Sequence, residues 1–265
     1  MIETTQFSQI NGIALRSTFT EGGSVTLGLI HELGGSLNSF DDLVPLLAPH
    51  YSVLRADQRG MGLSEKVAGP FNVRTLADDF IGLLDHHQIA EPIVLLGAAV
   101  GASIATQVAL SAPDRVKALV LAAPALFISE ERRAAGHEMA NRLEANGMRE
   151  IAEIVVGRSF PEHLWSSNAQ KEHVISRWLG ADHRGYAATH RMLLELDLRE
   201  HLGGLTMPVL VLAGEYDPHA PRAFLDDATA KIPNREVREI SAGHFMCVQS
   251  PELVAECIHH FVAEL

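Results

Sequence analysis

Cysteine is nearly missing from this chain: Cys247 and Cys257 are the only two in 265 residues. That scarcity excludes a disulfide-stapled scaffold and favours free thiols, so a reducing, cytoplasmic compartment is expected. Basic residues are also short, with 21 Lys and Arg against 33 Asp and Glu, for a formal charge of −12. Such an acidic chain is a poor match for nucleic acid or an anionic membrane surface. No stretch approaches the roughly 18–20 uninterrupted apolar residues of a membrane span. The opening Met1-Ile2-Glu3-Thr4-Thr5-Gln6 lacks the basic and apolar regions of a signal peptide, so none is expected. Internal repeats, low-complexity segments and flexible linkers are absent too. What is there is 47% hydrophobic, enough for a full core in one large domain or one domain with an insertion.

The chain is organised around Val94-Leu95-Leu96-Gly97-Ala98-Ala99-Val100-Gly101-Ala102-Ser103. Residues 93–96 read as a buried strand and 100–110 as a helix, with Gly-x-x-x-Gly between them. This is the strand, sharp turn and helix of a nucleophile elbow. The turn is so tight that a Cβ at either glycine would collide with strand or helix. Yet the position that should carry a serine or cysteine is Ala99, which has no lone pair with which to attack.

Apolar strand patterns alternate with helical ones along most of the chain. Residues 10–17 read as an edge strand containing an Asn11-Gly12 turn, and Glu21-Gly22-Gly23-Ser24 as a second turn. Strands are expected at 25–30, 51–56, 116–121, 207–213 and 235–240, and helices at 40–47, 75–88, 220–231 and from Pro251. Neither phosphate-binding glycine pattern follows the strand at 25–30. Between about residues 128 and 199 charge is denser and the period is helical throughout. The pattern predicts an α/β fold with a mostly parallel sheet covered on both faces. Residues 1–124 and 200–265 would form its core and 125–199 a helical lid.

Several motifs in fixed order resemble the α/β-hydrolase fold over essentially the whole chain. His31-Glu32-Leu33-Gly34-Gly35 is similar to the family's oxyanion loop, and Asp57-Gln58-Arg59-Gly60-Met61-Gly62-Leu63-Ser64 to its Asp-x-Arg-Gly-x-Gly-x-Ser stretch. Asp217 and Gly243-His244 stand where the family's acid and histidine stand. Within the fold, residues 45–57 and Gly180-Ala181-Asp182…Gly185-Tyr186 most resemble the 3-oxoadipate enol-lactonase branch. Two positions depart from the pattern: Ala99 at the nucleophile, and Glu32 where the family has glycine. Some members, similar to the aminoacrylate hydrolase of pyrimidine breakdown, also carry alanine at the elbow. A serine engineered to alanine would read the same.

The resemblance implies roles for particular residues. His244 would carry the proton transfer, a task suited to an imidazole. Asp217, emerging past an apolar strand, would fix its tautomer and stabilise the imidazolium. Leu33 and Val100 would offer backbone N–H groups to an oxyanion, where side-chain identity hardly matters. Glu32 has two readings of equal weight: an inward ion pair with Arg55 or Arg59, or a hydrogen bond to catalytic water or a substrate N–H. His31 reads as a loop anchor. His31-Glu32 does not continue to a second zinc-binding histidine, and no metal or cofactor is expected. His86-His87 and His259-His260 fall on helix faces and read as solvated. Of Arg132, Arg133, Arg158, Trp165, Trp178 and Arg191 in the lid, one or two are expected to meet a substrate carboxylate. Ser103 lies along the helix, badly placed to replace the nucleophile, and Cys247 reads as a small hydrophobe.

The expected function is hydrolysis of an enol-lactone, ester or amide-like bond in a small carboxylated metabolite. A His-Asp pair would activate water with no seryl intermediate. Three alternatives stay open at this level: a serine hydrolase carrying an engineered alanine, a cofactor-free proton-abstracting or oxygenating enzyme, and a ligand receptor. The sequence also leaves open whether the protein forms a homo-oligomer.

Overall fold

Eight strands form one sheet in the structure, a computed structural model that describes residues 3–265. They are β1 (Glu3–Ile10), β2 (Ile13–Thr20), β3 (Thr26–Ile30), β4 (Ser52–Ala56), β5 (Ile93–Ala98), β6 (Val116–Ala122), β7 (Val209–Gly214) and β8 (Arg235–Ile240). Across the sheet the order is β1-β2-β4-β3-β5-β6-β7-β8. The β1–β2 and β2–β4 pairings are antiparallel, and every other pairing is parallel. The helices are α1 (Val44–Leu47), α2 (Val73–His86), α3 (Val100–Ser111), α4 (Glu130–Asn146), α5 (Arg149–Ser159), α6 (Asn168–Leu179), α7 (His183–Leu194), α8 (Arg222–Ala228), α9 (Met246–Gln249) and α10 (Pro251–Ala263). None is long and apolar enough to cross a membrane among the described residues.

Every residue of β5 and β7 is buried, which is why those segments read as unbroken apolar runs. Strand alternation then splits the core in two. Ile93 and Leu95 join Phe80 and Leu84 of α2 and Ile104 and Val108 of α3 on one face. Val94 and Leu96 join Phe40, Leu47 and, from α10, Ile258 and Phe261 on the other. Each buried side chain of this size contributes about 1.5–3 kcal/mol. The edge strand β8 differs: it is only half-buried and carries Arg235, Glu236, Arg238 and Glu239.

Helices α4 to α7 occupy the stretch between β6 and β7 and have a core of their own. Leu143, Ile151, Val156, Val174, Trp178 and Tyr186 cluster there and close onto Met61 and Phe245, which follow β4 and β8. The Asp182 side chain caps α7 by accepting from the Gly185 N–H at 2.7 Å.

Three expectations need correction. The single edge strand at 10–17 is a hairpin of β1 and β2, and Asn11-Gly12 is its turn as read. The helix at 40–47 is two pieces, a 3-10 turn (Leu37–Phe40) and α1, because Pro45 can start a helix but cannot continue one. The first piece is capped by Ser36, whose side chain accepts from the Asn38 N–H. The helix at 75–88 begins earlier, at Val73, where the Asn72 side chain accepts from the Thr75 N–H.

Candidate active site

The loops at the carboxyl ends of β3, β5, β7 and β8 converge on a cavity of about 130 Å³. Ala99 lies at its centre, in the turn between β5 and α3, with φ 50° and ψ −112°. An L-residue there costs on the order of 1–3 kcal/mol. The turn is held by Ala99 N–H donating to the Ala122 carbonyl at 2.9 Å. A Cβ at Gly97 would strike the Gly101 and Ala102 backbone, and one at Gly101 the Ile30 and His31 carbonyls. The sharp strand-turn-helix geometry therefore exists in full with an alanine at its apex.

Leu33 and Val100 both line this cavity. Val100 is the first residue of α3, so its N–H has no acceptor within the helix and lies at the positive end of the helix dipole. His31 anchors the opposite loop. Fully buried, it accepts from the Gln58 N–H at Nε2 (3.2 Å) and donates from Nδ1 to the Glu32 carbonyl (2.8 Å).

His244 also lines the cavity, with Nδ1 at 2.8 Å from Asp217 Oδ2, which leaves Nε2 free to work there. Asp217 Oδ1 accepts from the His219 N–H, also at 2.8 Å. Burial alone would raise the Asp217 carboxyl, but the hydrogen bond and charge of His244, with the His219 N–H, hold it below its ordinary value.

His219 is the residue that sequence reading missed. It lines the cavity, and its ring lies 4.9 Å from that of His244, centroid to centroid. Its Nε2 meets the buried Ser159 Oγ at 3.1 Å. Burial, then His244, and more distantly Arg132 and Arg158, lower it to about 4 against the pull of Asp217. It is therefore neutral at pH 7. The one signal in sequence was its place two residues after Asp217, past an apolar strand.

Glu32 does not pair with either expected arginine. Arg55 is taken by Glu3 and Asp41, and Arg59 by Asp79. Instead Glu32 Oε1 accepts from Ser39 Oγ at 2.7 Å, and Arg177 reaches that same hydroxyl at 3.3 Å. The remaining walls are apolar: Val155, Trp178, Tyr186, Leu193 and Phe245. Of the six candidates at 132–191, only Trp178 is in the lining. Arg191 is held by Asn141 and Glu144, Arg133 donates to the Ile128 carbonyl, and Trp165 stacks on Phe160. No arginine lines the cavity, contrary to the expectation of a carboxylate clamp.

The other singled-out residues are structural. The buried Ser103 hydroxyl donates to the Ala125 carbonyl, and Cys247 is buried, with its thiol pushed up by burial and then by the charge of Glu32. In each histidine pair one ring is exposed as expected, His86 and His260, and the other is half-buried. His86 and His87 meet the hydroxyls of Ser8 and Ser17, tying α2 to the hairpin, and His259 stacks on Tyr51, while His260 is exposed. In the loop after β4, buried Asp57 accepts from the Leu37 and Leu63 N–H groups, both at 2.7 Å, which makes that motif a brace for the neighbouring loops.

The sequence pattern of the serine aminopeptidase S33 family matches residues 25–243. The chain is 27% identical over 237 residues to 3-oxoadipate enol-lactonase 2 of Acinetobacter baylyi, covering 89% of this chain and 88% of that one. It is also 27% identical to the pimeloyl-[acyl-carrier protein] methyl ester esterase of Aeromonas hydrophila, covering 91% and 96%. Among solved structures, the enol-lactonase of Burkholderia xenovorans superposes with a TM-score of 0.91 at 25% identity, covering 97% of this chain and 100% of that one. A thermophilic esterase of Thermogutta terrifontis gives 0.89 at 25%, covering 100% and 99%.

Proposed function

This chain belongs to the serine aminopeptidase S33 family of α/β-hydrolase-fold enzymes, and from that premise we propose that it hydrolyses a small ester or enol-lactone with water as the direct nucleophile. The carrying observation is the contact of His244 with Asp217 at 2.8 Å beside an elbow whose centre is Ala99. Water lodged above the Ala99 methyl loses a proton to His244 Nε2 as its oxygen adds to the substrate carbonyl. The new oxyanion takes hydrogen bonds from the Leu33 and Val100 N–H groups. Collapse expels the alkoxide or enolate, which recovers the proton from His244, so no group is left on the protein. Asp217 holds the imidazole tautomer throughout and stabilises its charged form.

An enol-lactone needs the least help, because its leaving group departs as a stabilised enolate. The named activities of the two curated relatives, enol-lactonase and methyl ester esterase, support the bond class. Helices α4 to α7 serve as the lid, contributing Val155, Ser159, Trp178, Tyr186 and Leu193 to the wall. The test is a panel of enol-lactones and short esters run with the protein and with His244→Ala. The expected result is a fall in kcat/KM of about 10²–10⁴. Equal turnover by both proteins would remove His244 from the chemistry.

A further inference from the structure

Glu32 is a buried carboxylate with no ion-pair partner among the described residues, in the wall of a site that must stabilise a negative transition state. It is 5% exposed. Oε1 is satisfied by Ser39, while Oε2 has no side-chain donor. Arginines 55 and 59 are committed elsewhere, and Arg177 stops at the Ser39 hydroxyl. The place is built for the carboxylate: a Cβ at Gly35 would collide with it and with the Ser39 hydroxyl. An unpaired carboxylate removed from water is costly, and one beside an oxyanion hole opposes the charge that forms there.

The surroundings supply the other half of the argument. Glu32, Trp178 and Phe245 are the wall shared by the catalytic cavity and a second cleft of about 250 Å³. The Trp178 ring lies 5.5 Å from Phe245 and 5.8 Å from Tyr186, centroid to centroid. A carboxylate facing a group of aromatic rings is the chemistry that holds an alkylammonium, by charge on one side and ring quadrupoles on the other.

We propose that Glu32, with Trp178 and Phe245, binds an ammonium group of the substrate, making the protein selective for cationic acyl compounds. The proposal rests on the hydrolytic reading of the same cavity and deepens it. A bound cation supplies the charge that Glu32 lacks and offsets its repulsion of the oxyanion.

Binding tests this without turnover. Choline and 3,3-dimethylbutan-1-ol have nearly the same shape and differ by one charge, and both can be titrated calorimetrically into the whole protein. Choline is expected to bind at least about tenfold tighter, a difference of about 1.4 kcal/mol. Glu32→Gln, which keeps an acceptor for Ser39, should erase that preference while leaving the alcohol's affinity unchanged. Equal affinities in the unaltered protein, or no choline binding up to about 10 mM, overturn the proposal whether or not the variant folds. A preference that survives Glu32→Gln overturns it as well. Failure of the hydrolytic reading shows elsewhere, as absent or His244-independent turnover, and leaves this charge comparison intact.

Discussion

At residue 99 a strained backbone carries only a methyl group. Supplying a hydroxyl by Ala99→Ser should place an Oγ between His244 and the Val100 N–H. A fluorophosphonate is then expected to label position 99, detected by peptide mass spectrometry, with no label there in the unaltered chain. Absence of an adduct in the serine variant would mean that His244 does not reach the elbow. Asp217 is equally specific in its demands, since its two oxygens accept from two different donors, His244 Nδ1 and the His219 N–H. An asparagine has one acceptor and one donor, so it can satisfy only one of them. Asp217→Asn should therefore lower kcat/KM by about 10³-fold or more through the wrong tautomer, with KM changed far less than kcat in steady-state kinetics. Asp217 and His244 were legible in sequence because each follows a strand, in the family's order. Ser159 was not, because it closes α5, a helix in a region where the sequence offers only period and charge. The partners of Glu32 were hidden for a similar reason: the Ser39 hydroxyl arrives from a 3-10 turn just ahead of the helix expected at 40–47, where the pattern shows no element.

At the scale of elements, α3 approaches the end of β3 so closely that Gly101 faces the Ile30 and His31 carbonyls directly. Gly101→Ala would gain helix propensity in isolation but must push two backbone segments apart. The net effect expected is a loss of about 3 kcal/mol or more, measured by urea unfolding. A neutral or stabilised variant would show that β3 and α3 can separate freely. This contact was foreseeable because Gly-x-x-x-Gly between an apolar strand and a helix admits few geometries. The hairpin was less so. Along β1 the segment is mostly exposed, with Phe7 outward and Ser8 buried, so there is little alternation to read. The central strands were read to within two or three residues because they are buried on both faces.

For the molecule as a whole, three histidines resist protonation, His87 and, more strongly, His190 and His219. His190 on α7 is lowered to about 4, by burial first and then by the charges of His137 and Arg191, and its buried Nδ1 has no partner. His219 is lowered to about 4 as well, chiefly by burial. In the unfolded chain both titrate near the ordinary 6.5. Above that pH both states hold them neutral, and stability is undiminished. As pH falls from 6.5 towards 4, only the unfolded chain takes up the protons, so stability declines. The urea midpoint should drop over that window, and His190→Leu should make the drop shallower. A slope unchanged by that substitution would show that His190 is not buried as a neutral ring. The fold's outer boundary carries a further consequence. Strand β8 ends the sheet with open backbone groups, yet Arg235, Glu236, Arg238 and Glu239 crowd that rim. Another strand arriving there would have to desolvate four charges to gain a ladder, so the rim acts as a guard against fibrillar stacking at high protein concentration.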